Sequence, residues 1–253
     1  MQGGPKSSSQ PDAGQREPRS DLEIVFVDLT RFAADLAHEE TRTPRLSADD
    51  NVRADTMVDH EARRLWRAAR IATRIVLERV VGESVRGVPF RIEPGGRPVL
   101  SDGGAHFSVS HSAGAALIAV AREMAVGVDI EEKARILKMS KDRRTRVLDA
   151  VARLQGTPPR SSADADVLEA WVQLEAIAKA RGTGIGRLLT EEGVIGGKAK
   201  SPAVTDAPDN FAVKLLTVEG FVAAIAAARL SADIVVESFS LEQPAPLRRG
   251  KAD

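Results

Sequence analysis

The chain has 253 residues, no cysteine and no tyrosine, and its 36 Lys plus Arg are balanced by 36 Asp plus Glu. Zero net charge argues against a general nucleic-acid binder, which carries a strong basic excess. Without cysteine there are no disulfides, no thiol catalysis, no Cys-ligated zinc and no iron–sulfur cluster. Hydrophobic residues make up 43% and aromatics only 4%, so the core has to be aliphatic and alanine-rich.

Residues 1–20 are polar and rich in Gly, Ser and Pro. They lack the apolar segment of a secretory signal and read as a disordered lead; residues 243–253 read as a flexible tail. No apolar run is long enough to cross a membrane, so the expectation is a cytoplasmic protein with no membrane partner. Residues 22–29, LEIVFVDL, read as a buried strand. Residues 30–56 are mixed and charged, with Pro44 as a breaker, and predict one short helix and a loop.

Residues 57–81 carry the longest helical signal. Leu65, Ala68, Ala69, Ala72, Val76 and Val80 make an apolar stripe. Arg63, Arg67, Arg70, Arg74 and Arg79 fall on the other face, which predicts a solvated surface. Gly82 is a natural stop. Residues 88–92 predict a short strand, 93–98 a turn presenting Arg97 between Gly96 and Pro98, and 106–110 an alternating strand. Ser110-His111-Ser112-Ala113-Gly114 reads as a polar turn whose hydroxyls, imidazole and backbone N–H groups suit a phosphate, or simply as a turn containing a histidine. Residues 115–121 are a further buried strand.

Residues 124–131 end in Gly127-Val128-Asp129-Ile130-Glu131. As a strand, this segment puts Asp129 and Glu131 on one face and Ile130 on the other. Two carboxylates side by side repel unless a positive charge lies between them, and a hard divalent cation such as Mg2+ takes oxygen ligands. Taken alone, the pair reads first as two solvated acids at a strand end, and the rest of the chain has to decide. A basic helix follows over 140–154, a loop over 156–164 and a second strong helix over 165–181. In that helix Trp171, Glu175 and Lys179 lie four apart on one stripe. Gly182-Thr183-Gly184 ends it. Residues 191–210 read as a loop, and 211–218, 221–228 and 233–239 as closing strands. The order predicts α+β architecture in two similar halves, 21–122 and 123–242.

Glu175 is a third acid for the pair, with Lys179 one turn beyond. Three carboxylates can hold Mg2+ on a pyrophosphate, while Lys179, His111, Arg97 and helix arginines neutralise phosphate charge. Such a set suits transfer of a phosphate-linked group, where positioning and charge neutralisation account for most of the catalysis. Glu175 is also placed to accept a proton from an incoming hydroxyl.

Gly127-Val128-Asp129-Ile130-Glu131, followed by Trp171-Val172-Gln173-Leu174-Glu175-Ala176-Ile177-Ala178-Lys179-Ala180-Arg181-Gly182-Thr183-Gly184, resembles the signature pair of the Sfp-type 4'-phosphopantetheinyl transferases. Gly96-Arg97-Pro98 resembles the family's Gly-Lys-Pro, and His106-Phe107-Ser108-Val109-Ser110-His111-Ser112 its H-F-N-x-S-H-S. The resemblance covers roughly residues 60–185. It implies two halves related by a pseudo-twofold axis, with the active site between them. The implied substrates are coenzyme A and an acyl or peptidyl carrier protein. A carrier serine takes the 4'-phosphopantetheine arm and 3',5'-ADP leaves. Carried over, Asp129, Glu131 and Glu175 hold Mg2+ and Glu175 is the base. Lys179 meets the pyrophosphate and protonates the leaving group. His111, with Ser110 beside it, meets the 3'-phosphate of coenzyme A, and Arg97 and Arg74 contribute to coenzyme A binding. Leu174 stands where the family has a lysine, which removes one cation near the phosphates and leaves open a coenzyme A- or carrier-binding module without catalysis. Ser108 replaces the usual asparagine, Arg97 replaces lysine, and the family's aromatic-plus-glutamate pattern is absent from 132–165. The basic run 138–146 is a candidate surface for an acidic carrier, and two halves in one chain suggest a monomer.

Overall fold

A computed structural model describes residues 21–196 and 211–242. The expected lead at 1–20, the loop beyond residue 196 and the tail at 243–253 lie outside the described residues. The architecture is α+β. Strand β1 (Leu22–Asp28) is followed by helices α1 (Leu29–Arg42), α2 (Ala48–Asp55) and α3 (His60–Val81). Two short strands, β2 (Arg91–Ile92) and β3 (Pro98–Val99), form a hairpin. Then come β4 (His106–Ser112), β5 (Ala115–Ala121), β6 (Val126–Glu132), α4 (Lys141–Gln155), α5 (Asp164–Arg181) and α6 (Ile185–Glu191). β7 (Ala212–Val218), β8 (Phe221–Ala227) and β9 (Glu237–Ser238) close the chain. One sheet has the order β4-β5-β1-β9 and a second has β6-β8-β7.

Strand alternation builds three apolar layers. Val25, Val27, Ile118 and Val120 meet Leu36 of α1 and Ile71 and Val76 of α3. The opposite faces of β1 and β5 supply Ile24, Leu117 and Ala119, which meet Val128, Ile130 and Ile225 of the second sheet. Ala224 and Ala226, on the far face of β8, pack against Val147 of α4, Leu174 and Ile177 of α5 and Leu188 of α6. The sheets are therefore at the centre and the helices outside.

Several local expectations give way to tertiary packing. Residues 30–56 hold two helices: Asp28 caps α1 by accepting from Arg31 N, and Ser47 and Asp50 form a reciprocal capping box on α2. Helix α6 lies in a segment to which the sequence assigned no element. Of 233–239 only Glu237–Ser238 pairs as strand, and it runs parallel to β1 in the first sheet. The chain thus returns to its starting sheet.

The arginine face of α3 is the largest correction. Arg74 is fully buried, because α2 and the segment after Gly82 cover it. Its Nε donates to Asp50 Oδ2 at 2.8 Å, Nη1 to the Val85 carbonyl at 2.9 Å and Nη2 to the Val88 carbonyl at 2.9 Å. The guanidinium also lies 4.4 Å from the centre of the Phe90 ring. Arg70 shares Asp50 at 3.2 Å. Arg74 is a structural bolt that offers no donor surface to coenzyme A.

A second carboxylate of this layer gives a pH dependence. Burial on its own pushes the Glu78 pKa up, but hydrogen bonds from Arg86 and Arg45 override it and hold the carboxyl below its ordinary value. A depressed folded-state pKa contributes stability that is present above the unfolded value, near about 4.3, and is lost as pH falls through the folded one. Urea denaturation should therefore show stability dropping below about pH 4. Glu78→Gln should lower stability at neutral pH and flatten that acid limb; an unchanged acid limb would count against the assignment.

Candidate active site

Strand β6 sends Val126, Val128 and Ile130 into the layer between the sheets. Gly127, Asp129 and Glu131 consequently face α5. At Gly127 the helix backbone lies directly on the strand: a Cβ there would collide with the Ala176 carbonyl oxygen and the Ala180 nitrogen. This close approach carries Glu175 and Lys179, the neighbours of Ala176 and Ala180, to the acids. Lys179 Nζ is 2.7 Å from Asp129 Oδ1 and 4.0 Å from Glu175 Oε2. Gly127→Ala should lift α5 from β6, cost about 1–3 kcal/mol as an overpacked core substitution and break the Lys179–Asp129 contact. A melting temperature equal to that of the parent protein would refute the close-approach argument.

Strand β4 runs beside β6 and meets it through serines at alternate positions. Val128 N donates to Ser108 Oγ at 3.0 Å. Ser110 Oγ donates to Asp129 Oδ1 at 2.7 Å, and Ser112 Oγ to Glu131 Oε2 at 2.7 Å. The other oxygen of Glu131, Oε1, pairs with Arg135. Asp129 is 2% exposed, and its Oδ2 is buried without a hydrogen-bond partner. A buried carboxylate oxygen left unpaired is costly. Burial, and then the charge of Asp129, push the pKa of Glu175 up; Lys179, the Trp171 indole and Arg135 partly offset this.

Among the described residues, no three acid or imidazole side chains already form a metal cage. Glu131 is turned to Ser112 and Arg135, and Lys179 stands against Asp129. The donor chemistry nevertheless fits a hard divalent cation, because oxygen ligands, an orphaned buried oxygen and an acid disfavoured by its neighbour's charge all gain from one. Asp129, Glu131 and Glu175 are the residues that would hold it.

The remaining expected residues are placed differently. Ser110 and His111 do not share a turn: β4 continues to Ser112, and only Ala113 and Gly114 turn. Strand alternation therefore puts His111 on the face of Phe107 and Val109, away from Ser110 and Asp129, and it is exposed at the strand end. The hydroxyl proton of Ser110 is committed to Asp129 rather than to a phosphate. Arg97 is tied to Glu93 at 2.9 Å and donates Nη1 to the Ala180 carbonyl at 3.1 Å. The β2–β3 turn sits on the end of α5 so tightly that a Cβ at Gly95 would overlap the Gly182 carbonyl. Arg97 thus clamps the end of the helix, and a phosphate would have to displace Glu93. Leu174 is fully buried among α4, α6 and β8, so a cation at that position would face the core, not the acids. In the run 138–146, Lys138 and Lys141 are exposed, whereas Arg144 pairs with Asp164 and Arg146 donates to the Val194 carbonyl.

Ser112 was expected only as part of a phosphate-binding turn, not as a partner of Glu131, and Arg135 was not among the expected site residues. The period-two serines at 108, 110 and 112 were the available signal for Ser112. Arg135 had none, because only the bend after β6 turns it back onto Glu131.

No family model matches the chain, and no curated protein matches it. Among the described residues, no helix is long and apolar enough to cross a membrane.

Proposed function

We propose that this chain is a Mg2+-dependent transferase of the 4'-phosphopantetheinyl type, moving the arm of coenzyme A to a serine of an acyl or peptidyl carrier protein. The observation that carries the reading is the meeting of Asp129, Glu175 and Lys179 between β6 and α5, with Glu131 on the same face of β6 as Asp129 and one buried oxygen of Asp129 lacking a hydrogen-bond partner. The motif resemblance in residues 60–185 supplies the substrates. In this reading the two sheet-and-helix halves are related by a pseudo-twofold axis, and the protein acts as a cytoplasmic monomer.

Asp129, Glu131 and Glu175 would hold a divalent cation, which when bound would neutralise pyrophosphate charge. Glu175 accepts the proton of the carrier serine hydroxyl. Its neighbours favour that proton, since burial and Asp129 both disfavour its charge. The serine oxygen forms a bond to the β-phosphorus of coenzyme A, and the bond to the bridging oxygen breaks. That oxygen leaves with 3',5'-ADP, and Lys179 stabilises or protonates it. Leu174, buried in the helical core, supplies no cation here, and the second reading is a coenzyme A- or carrier-binding module without catalysis.

The test is direct. The protein is incubated with coenzyme A, Mg2+ and a panel of apo carriers, and intact mass is measured. A mass gain of one arm on at least one carrier is expected. Coenzyme A binding with no modification of any carrier would leave a binding module instead.

A further inference from the structure

We infer that Ser110 and Ser112 are positioning residues that make the acid pair selective for Mg2+ over larger cations, an inference that rests on the reading of Asp129 and Glu131 as cation ligands. Each hydroxyl comes from β4, in the first sheet, and reaches an acid on β6, in the second. Each serine pins one oxygen of its acid. Ser110 Oγ and Lys179 Nζ both donate to Asp129 Oδ1, each at 2.7 Å. One carboxylate oxygen offers about two acceptor sites, so Oδ1 is full. Oδ2 is buried and unpartnered, and it is the oxygen Asp129 has to offer. Ser112 likewise occupies Oε2 of Glu131, and Oε1 pairs with the exposed guanidinium of Arg135, which a cation would have to displace.

A carboxylate with one oxygen pinned is a one-oxygen ligand. Two such ligands on alternate strand residues suit a small octahedral ion that keeps several waters. Ca2+ takes more oxygens, commonly both from one carboxylate, in looser geometry. The serines thus enforce single-oxygen ligation and disfavour the two-oxygen mode. Ser108 differs from them, because it accepts from the Val128 backbone and touches neither acid. Loss of its hydroxyl loosens the seam between β4 and β6 without freeing a carboxylate.

The experiment is calorimetric titration of the whole protein with Mg2+ and with Ca2+ alone, without substrate. Ser110→Ala and Ser112→Ala should each lose about 10-fold or more in Mg2+ affinity, as loss of an outer partner of a metal ligand does. Ca2+ affinity should hold or rise, so the ratio of the two falls. Ser110→Thr and Ser112→Thr, which keep the hydroxyl, should restore the ratio, and Ser108→Ala should lower the melting temperature without changing the ratio. Ser112, at the end of β4, provides a second site should Ser110→Ala fail to fold. Binding of Mg2+ by the parent protein with an unchanged ratio in both alanine variants overturns this inference alone. A shift of the ratio in Ser108→Ala as large as theirs overturns it too. Absence of Mg2+ binding by the parent protein overturns the metal reading, and the serine inference with it.

Discussion

Glu175→Gln is expected to lower carrier modification by about 10²–10⁴-fold, the range for loss of a general base, while weakening coenzyme A binding much less. Glutamine keeps the size and one neutral oxygen of the side chain but removes both the proton acceptor and a ligand charge. The same substitution should raise the melting temperature of the cation-free protein. Burial and Asp129 disfavour the charge on Glu175 in the fold relative to the unfolded chain, so deleting that charge relieves the native state. Activity and stability therefore move in opposite directions, as they do where a site is built at the expense of stability. Single-turnover mass spectrometry, calorimetry with coenzyme A and a thermal melt check the three parts. Equal losses in turnover and binding would reduce Glu175 to a binding residue. A lowered melting temperature would show that it is structurally required.

Arg74→Met should cost about 3–5 kcal/mol of stability, the usual consequence of stripping one partner from a buried ion pair. Methionine fills much of the same space, but it leaves Asp50 with Arg70 as its one charged partner and leaves the Val85 and Val88 carbonyls without their donor. The double variant Asp50→Asn with Arg74→Met should lose less than the sum of the single losses, because the two residues form one network. Urea denaturation reads the loss. Coenzyme A titration of the remaining folded protein separates the two roles considered for this arginine. Weakened coenzyme A binding at unchanged stability would return Arg74 to the ligand site and refute the structural assignment.

The acids and the arginines of the chain were legible to very different degrees. Asp129 and Glu131 share a face because strand period is a property of the backbone, and Glu175 and Lys179 share a stripe because helix period is too. Neither needed knowledge of the rest of the molecule. The arginines of α3 were read as a solvated face because a charged stripe opposite an apolar one usually is. Nothing within residues 57–81 indicates that α2 will lie across Arg74 and bring Asp50 to it. The same limit applies to Ser110 and His111. Whether residues 110–112 turn or extend is decided by the pairing of β4 with β5, whose register runs to Ser112 and Ala115.

By itself the sequence determined the α+β class, most element positions, the shared face of the acid pair, the Glu175–Lys179 stripe and the exclusion of cysteine chemistry. All of these are local or compositional properties. The tertiary structure decided which charges meet. It sets α5 on Gly127 so that Lys179 reaches Asp129. It lays the β4 serines along the acids, turns Leu174 into the helical core and seals Arg74 beneath α2. These outcomes depend on contacts between segments up to about fifty residues apart, and periodicity within one segment carries no information about what will cover it.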